Sequence, residues 1–147
     1  MDKVILKATL IKAHQQILQR LRDDYASYQS GGDPNLEEIQ DADDNSHRRQ
    51  TEEYLEALER QIHQRENEIQ ILRDLDFSSK TSVTEGAVAL VNGQYYIIGI
   101  PACQFILGGN HFIALSPDAP FYRQLMDKKK NDCFVFKGKK FTIESIF

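Results

Sequence analysis

Two long stretches of the chain each contain a series of mainly apolar residues that alternate three and four positions apart. Helices that pack along a shared line of contact have this spacing. We call this line the seam. The first stretch carries it at Leu10, His14, Ile17, Leu21, Asp24 and Tyr28. The second stretch carries it at Leu55, Leu58, Ile62, Arg65, Ile69 and Leu72. This spacing predicts one helix from about Val4 to about Gln29 and another from about His47 to about Leu75.

The segment between the two helices predicts a reversal of the chain. Ser30-Gly31-Gly32 ends the first helix, because Gly is costly inside helices and common just after them. Asp33-Pro34 then opens a short helical piece over residues 36–40. Asp41–Ser46 is rich in short polar side chains that compete for main-chain hydrogen bonds, so we place the tip there.

Each predicted helix is about 40 Å long, and these matched lengths favour an antiparallel hairpin within one chain. A parallel dimer of two chains is the alternative. Arg65 is the one polar residue in the second half of the seam, where such a residue often fixes the register. His14 and Asp24 are imperfect seam residues, whereas Leu18 and Tyr25 widen the apolar stripe.

The period of the pattern changes to two in the C-terminal half, which predicts strands. Asn92-Gly93 is the residue pair that favours a two-residue hairpin turn. A short helix should open at Ser116-Pro117-Asp118 and run through Met126. We expect strands at 87–91, 95–98, 111–115, 133–136 and 139–146. We expect the core to contain Phe134, Phe136, Phe141, Ile143 and Ile146.

The sequence therefore predicts an α+β protein of two modules. A coiled-coil hairpin covers residues 1–76, a linker covers 77–81, and a small, mainly antiparallel sheet domain with one helix covers 82–147. Residues 1–76 hold 10 Lys and Arg against 17 Asp and Glu, whereas residues 77–147 hold 8 against 5. An acidic hairpin repels phosphates, so we expect no direct, specific binding of nucleic acid.

The location is predicted from what the sequence lacks. The chain has no apolar run of about 18 residues, the length of a membrane span, and its first residues lack the apolar core of a signal peptide. Cys103 and Cys133 form no CxxC pair, so we interpret them as buried, reduced thiols. These features predict a cytoplasmic protein without a membrane partner.

The candidate site is an acidic segment at the predicted tip. Between residues 33 and 45 the chain carries six carboxylates and no Lys or Arg. Crowded carboxylates repel one another until a metal ion or a basic partner meets them. An exposed tip offers no enclosed pocket that would shift their pKa values, so the segment does not predict an enzyme with its own active site.

A calcium loop is one interpretation of this segment. Asp41, Asp43, Asn45 and Glu52 occupy positions 1, 3, 5 and 12 of the EF-hand pattern. Ser46 stands where that pattern needs Gly, and two arginines lie within the loop. Both features oppose calcium binding. A helix–loop–helix calcium sensor stays an alternative function from another class, and a dimeric scaffold is a second one.

The order of these parts resembles the Gre-type transcript cleavage factors of bacteria, in a divergent, short form. In the C-terminal half, the resemblance is carried by Ile113-Ala114-Leu115-Ser116-Pro117-Asp118-Ala119-Pro120, by Leu125-Met126-Asp127-Lys128-Lys129 with Asn131-Asp132, and by Phe141-Thr142-Ile143-Glu144-Ser145-Ile146. At the tip, Asp41-Ala42-Asp43-Asp44-Asn45 is similar to the Asp-x-x-Glu-Asn of that family. The resemblance covers essentially the whole chain.

The resemblance implies a monomeric elongation factor that inserts its hairpin into the secondary channel of RNA polymerase. There Asp41 and Asp44, with Asp43 as a third candidate, would help hold a second Mg²⁺, so that the polymerase cuts backtracked RNA. The C-terminal domain would be FKBP-like and would dock on the polymerase, and we choose Ser116-Pro117-Asp118 as its docking turn. Asp44 stands where the family has Glu, so a regulator that occupies the channel without stimulating cleavage is the alternative.

Overall fold

The computed structural model describes residues 1–30, 42–101 and 103–147, with residues 42–44 described by their backbone alone. Helix α1 spans Lys3–Ser30 and helix α2 spans Ala42–Asp74, so the two predicted long helices are confirmed. The predicted short helix over 36–40 lies outside the described residues. Helix α2 begins at Ala42 rather than near His47. Residue types that are poor in a helix interior are favoured in its first turn, where the N–H groups lack helical partners.

The two helices run antiparallel. Arg22 Nη2 donates to Glu66 Oε1 over 2.6 Å, and the ring centroids of Tyr28 and Tyr54 lie 4.6 Å apart. From the first contact to the second, the residue number rises along α1 and falls along α2, as in an antiparallel pair. This hairpin within one chain agrees with the matched helix lengths.

The predicted seam is confirmed on α2 but was placed slightly wrong on α1. Leu58, Ile69 and Leu72 are buried as expected. On α1, Ile17 is 40% exposed and Asp24 is exposed, whereas Leu18 is buried. The buried stripe on α1 follows the 3.6-residue period of a straight helix more closely than the 3.5-residue period of a supercoil.

The described chain divides into two compact units. One unit contains Ile11–Gln70, which is most of the helical hairpin. The other contains Met1–Leu10 together with Ile71–Phe147, so the first turns of α1 and the last turn of α2 belong with the sheet.

The second unit contains a six-stranded sheet in the order β3-β4-β2-β1-β6-β5. Its strands are β1 Val88–Val91, β2 Gln94–Ile98, β3 Gln104–Leu107, β4 Asn110–Leu115, β5 Cys133–Phe136 and β6 Lys139–Ile146. The pair β2–β4 is parallel and the other pairs are antiparallel. The five predicted strands are therefore confirmed in a mainly antiparallel sheet, whereas β3 was not predicted.

Tight turns explain where these strands reverse. Asn92 and Gly93 have φ values of 46° and 76°, so both adopt the left-handed backbone that a type I′ turn requires. Lys137 and Gly138 form the same kind of turn between β5 and β6. The hairpin predicted at Asn92-Gly93 is confirmed.

The core on one face of the sheet forms around helix α3, Pro120–Leu125. This helix starts at Pro120 rather than at Ser116-Pro117-Asp118, because Pro fits the first turn and Ala119 is still extended. The predicted core residues all take part. Phe134 and Ile143 are buried, and Phe136, Phe141 and Ile146 pack against them in part. The sequence missed Val83 and Leu125, which are fully buried in this core.

Two lysines near the start of α1 donate to main-chain oxygens at the end of α2, in the segment after it and at Phe147. Lys3 Nζ donates to the main-chain oxygens of Ser78 and Phe147, over 2.7 and 2.9 Å. Lys7 Nζ donates to the oxygens of Arg73 and Leu75, both over 2.7 Å. Burial lowers the pKa of Lys3 to about 8; the charge of Lys80 lowers it too, against the opposing effect of Asp76.

The segment predicted as a linker is anchored in this unit. Phe77 is buried, with the ammonium groups of Lys3 and Lys7 5.8 and 5.5 Å from the centre of its ring. The Asp76 carboxylate accepts hydrogen bonds from Lys80 and Ser78, which hold its pKa well below the usual range.

Two further observations concern the predicted location. The prediction of buried cysteines was wrong, since Cys133 is exposed and Cys103 is partly exposed. None of the described helices combines the length and the apolar character needed to cross a membrane.

Candidate functional site

Two of the three predicted metal ligands lie at the N-terminal end of α2. Asp41 lies outside the described residues. Asp43 and Asp44 fall in the first turn of α2, where the backbone alone is described. Whether their carboxylates converge therefore stays a prediction. Among the side chains that the structure does describe, no three His, Cys, Asp or Glu residues lie close enough together to hold a metal ion.

The helix that follows differs from a calcium loop. Residues 45–53 are helical and exposed. Asn45 and Glu52 are seven residues apart on this helix, which separates them by about 10 Å along the axis. An EF-hand holds its ion with a loop that turns sharply at position 6, and the helical backbone over 45–53 does not form that loop.

The most buried polar group in the hairpin unit lies on the seam. His14 is 3% exposed and Glu68 is buried, and the two come from different helices. Arg65 Nη1 lies 3.0 Å from His14 Nδ1 and 2.6 Å from Glu68 Oε2. Glu68 Oε2 also lies 3.5 Å from His14 Nδ1. These three residues form what we call the seam cluster.

The arrangement of the seam cluster sets the protonation of His14. Arg65 can only donate, so His14 Nδ1 accepts and the imidazole is neutral, with its proton on Nε2. Burial lowers the pKa of His14, and the charge of Arg65 lowers it further, against the opposing effect of Glu68. The cluster therefore holds one ion pair, Arg65 with Glu68, beside a neutral histidine. The polar seam position predicted at Arg65 is confirmed, and its partners were not predicted.

The predicted docking turn connects β4 to α3. Ser116 is partly exposed, while Pro117 and Asp118 are exposed. The turn is closed by a hydrogen bond of 3.0 Å from the Ala119 N–H to the Ser116 oxygen. These residues are thus accessible on a short, ordered turn, and their role in docking stays a prediction.

The unit that contains the sheet also has an open apolar cavity of about 370 Å³. Two of the residues that line it, Phe112 and Tyr95, stack with their ring centroids 5.1 Å apart, and Phe105 stacks on Phe112 outside the lining at 5.2 Å. The cavity is lined by Met1, Asp2, Ile5, Leu6, Tyr95, Leu107, Asn110, Phe112 and Phe147. No local sequence pattern predicts this cavity, because its wall combines the first helical turns with strands that lie far away along the chain.

No protein-family model, no curated protein and no solved structure matches the chain.

Proposed function

We propose that this protein is a Gre-type transcription elongation factor that binds RNA polymerase and stimulates cleavage of backtracked RNA. In this proposal the hairpin enters the secondary channel, and the acidic segment supplies ligands for a second Mg²⁺ at the polymerase active site. The protein is not an enzyme by itself, since the reacting phosphate and the first metal ion belong to the polymerase. It acts in the cytoplasm as a monomer.

The observation that carries this proposal is the antiparallel pair of long helices with an acidic segment that ends in the first turn of α2. Helices α1 and α2 have 28 and 33 residues, which correspond to about 42 and 50 Å. Six carboxylates without a basic residue lie between residues 33 and 45. A long, narrow pair of helices suits delivery of such a segment into a channel that excludes a globular domain.

The chemistry needs oxygen ligands and little else from this chain. Mg²⁺ prefers a few hard oxygen ligands and keeps several waters, and in a two-metal site the ions stabilise the attacking and the leaving oxygens. Asp41 and Asp44, with Asp43 as a third candidate, would hold the second ion. Because the polymerase supplies the other ligands, we expect the isolated protein to bind Mg²⁺ weakly.

The proposal assigns the C-terminal domain an FKBP-like fold and a docking role. A mainly antiparallel sheet with one short helix against it is compatible with that assignment. Within it, the exposed turn Ser116-Pro117-Asp118 would contact the rim of the polymerase channel.

The test uses a backtracked elongation complex of the RNA polymerase from the same organism, with 5′-labelled RNA and Mg²⁺. The wild-type protein should shorten the RNA, and Asp41→Asn and Asp44→Asn should each slow this cleavage by about tenfold or more, because each removes a charged ligand. Asp24→Asn is the matched control, since it removes the same charge from an exposed position on α1. If Asp24→Asn slowed cleavage as much as the tip variants, net charge and not metal binding would be responsible.

A second candidate is a channel-occupying regulator that does not stimulate cleavage. It is favoured by Asp44, which is one methylene shorter than the Glu of the family pattern and reaches less far. In the same assay this regulator would leave the RNA intact and would compete with another secondary-channel factor for the polymerase. Neither cleavage nor binding would refute both candidates. Micromolar calcium binding by the isolated protein would then point to the calcium sensor instead.

A further inference from the structure

Strand β5 forms an edge of the sheet, and part of its backbone faces outwards. It is the last strand in the order β3-β4-β2-β1-β6-β5 and pairs with β6. Phe136 and Lys139 close the two-residue turn, so they form a hydrogen-bonded pair. The next pair, Val135 with Lys140, is then of the non-hydrogen-bonded kind, and the N–H and C=O groups of Val135 point away from β6.

Contacts on the far side of β6 support this alternation. The Lys140 oxygen accepts a hydrogen bond of 3.0 Å from Asn92 Nδ2, and the Thr142 N–H donates to Asn92 Oδ1 over 2.9 Å. The main-chain groups of both residues therefore point towards β1 and away from β5. Their partners on β5, Val135 and Cys133, consequently direct their own main-chain groups to the open edge.

The side chains of β5 differ between its two faces. Phe134 is buried in the core around α3, and Phe136 packs against that core. On the other face, Val135 is 65% exposed and Cys133 is exposed. An apolar, β-branched residue thus lies at the centre of an open strand edge, where another strand could cover it.

Lysines flank this edge at both ends. Residues 128–140 contain six Lys and one Asp. Three of the lysines precede β5 and three follow it, and all except Lys128 are exposed. The Asp132 carboxylate accepts a hydrogen bond of 2.7 Å from the Lys129 N–H, so it belongs to the turn before the strand. The strand is therefore flanked by positive charge at both of its ends, and Lys140 adds a further charge opposite Val135 on β6.

We propose that β5 binds an extended, acidic segment of a protein partner, which adds to the sheet as a seventh strand. Main-chain hydrogen bonds to Cys133 and Val135 would supply affinity, as in other cases of strand addition. The lysines would select carboxylate-bearing partners. They would also repel a second copy of the same edge, which protects the protein from self-association through β5. This inference is independent of the proposed function, because it involves neither the hairpin nor the polymerase active site.

The test measures binding of a fluorescent peptide of four Glu-Val repeats with blocked ends to the full-length protein. A peptide of four Glu-Pro repeats has the same charge but lacks half of the main-chain donors and cannot pair as a regular strand. A peptide of four Lys-Val repeats keeps the strand propensity and reverses the charge. We expect the Glu-Val peptide alone to bind, with an affinity that falls as salt rises.

Two pairs of variants locate the binding to β5. Val135→Pro removes an outward N–H that the sheet itself does not use, a position where Pro is tolerated, and should weaken binding by about fivefold to tenfold. Val135→Thr is its matched control and should bind as the wild type does. Lys140→Glu should weaken binding more than Lys140→Gln, and a circular dichroism spectrum of each variant checks the sheet.

Four results would overturn the proposal. One is equal binding of the Glu-Val and Glu-Pro peptides, which would show attraction by charge without strand pairing. Another is an unchanged affinity in both Val135→Pro and Lys140→Glu. The third is the absence of Glu-Val binding at millimolar concentration. The fourth is tighter binding of a single-stranded RNA oligonucleotide, which would assign the lysines to a different class of partner.

Discussion

His14, Arg65 and Glu68 place polar groups between the helices, where the other buried side chains of the hairpin unit are apolar. A buried ion pair adds little net stability, because the cost of removing both charges from water offsets their attraction. The cluster instead favours one alignment of α2 along α1 over the alternatives. If α2 shifted by one turn along α1, Arg65 would lose His14 as an acceptor, and an apolar residue would meet the Arg65–Glu68 pair instead. We infer that the seam cluster fixes the register of the two helices.

The protonation of His14 leads to a pH-dependence of stability. In the unfolded chain His14 has an ordinary pKa of about 6.5, and in the folded protein burial and Arg65 lower this pKa. The unfolded state therefore binds more protons in acid. The stabilisation that comes from neutral His14 is fully present above about pH 6.5 and is lost as the pH falls below it, by at most about 1.4 kcal/mol per pH unit.

Urea denaturation of the wild type and His14→Gln at pH 7.5 and 5.5 tests this expectation. Gln keeps an acceptor oxygen for Arg65 but does not titrate, so the loss of stability on acidification should be smaller in the variant. Every other titratable group is common to both proteins and cancels in the comparison. An equal loss in the two proteins would contradict the assignment of a lowered pKa to His14.

At the scale of the elements, two glycines with a left-handed backbone differ in the space around them. Gly86 and Gly93 both have positive φ, at 80° and 76°. A Cβ atom on Gly93 would have no heavy atom within 4 Å, whereas a Cβ on Gly86 would overlap the main-chain oxygen of Asp76. We expect Gly93→Ala to lower the free energy of unfolding by about 1 kcal/mol, from backbone strain alone. Gly86→Ala should lower it by about 3 kcal/mol or more, since the backbone around Asp76 must also move.

Thermal unfolding followed by circular dichroism compares the two variants directly. Both substitutions add one methyl group at a left-handed position, so Gly93→Ala controls for the strain and isolates the close approach to Asp76. Similar melting temperatures for the two variants would show that the segment after α2 does not approach Gly86 as closely as described.

The elements that the sequence predicted are those with a strong local signal. The α2 seam repeats over five steps from Leu55 to Leu72, and Asn92-Gly93 marks its turn by backbone chemistry alone. Strand β3 has only four residues, and its apolar run from Phe105 to Leu107 does not alternate, so no local pattern distinguishes it. It is a strand because β4 pairs with it across the turn at Gly108-Gly109.

Over the whole molecule, long-range pairing limited what the sequence could predict. The parallel pairing of β2 with β4 brings Tyr95 beside Phe112, 17 residues later, and thereby places both rings in the lining of the cavity. The edge position of β5 likewise depends on the strand order and not on the lysines around it. The acidic segment shows the opposite case, since its carboxylates are evident from composition, whereas the structure describes no side chain of Asp41, Asp43 or Asp44.

The two compact units differ in how much apolar surface they bury. In the hairpin unit, the buried side chains that the structure describes are His14, Leu18, Leu58, Glu68 and Ile69, and two of these five are polar. The unit with the sheet buries many more apolar side chains, among them Val88, Ile97, Leu125 and Ile143. Since each fully buried aliphatic side chain contributes about 2 kcal/mol, the hairpin unit should open more readily than the sheet.

Hydrogen exchange measured by mass spectrometry tests this difference in the intact protein. Peptides from 11–30 and 45–70 should exchange at least about tenfold faster than those covering β1 and β2, which corresponds to 1.4 kcal/mol or more in opening free energy. Leu58→Ala should speed exchange within the hairpin unit and leave the sheet unchanged, whereas Ile143→Ala should speed exchange in the sheet. If instead both variants sped exchange equally throughout the chain, the protein would open as a single cooperative structure, and the lower stability of the hairpin unit would be refuted.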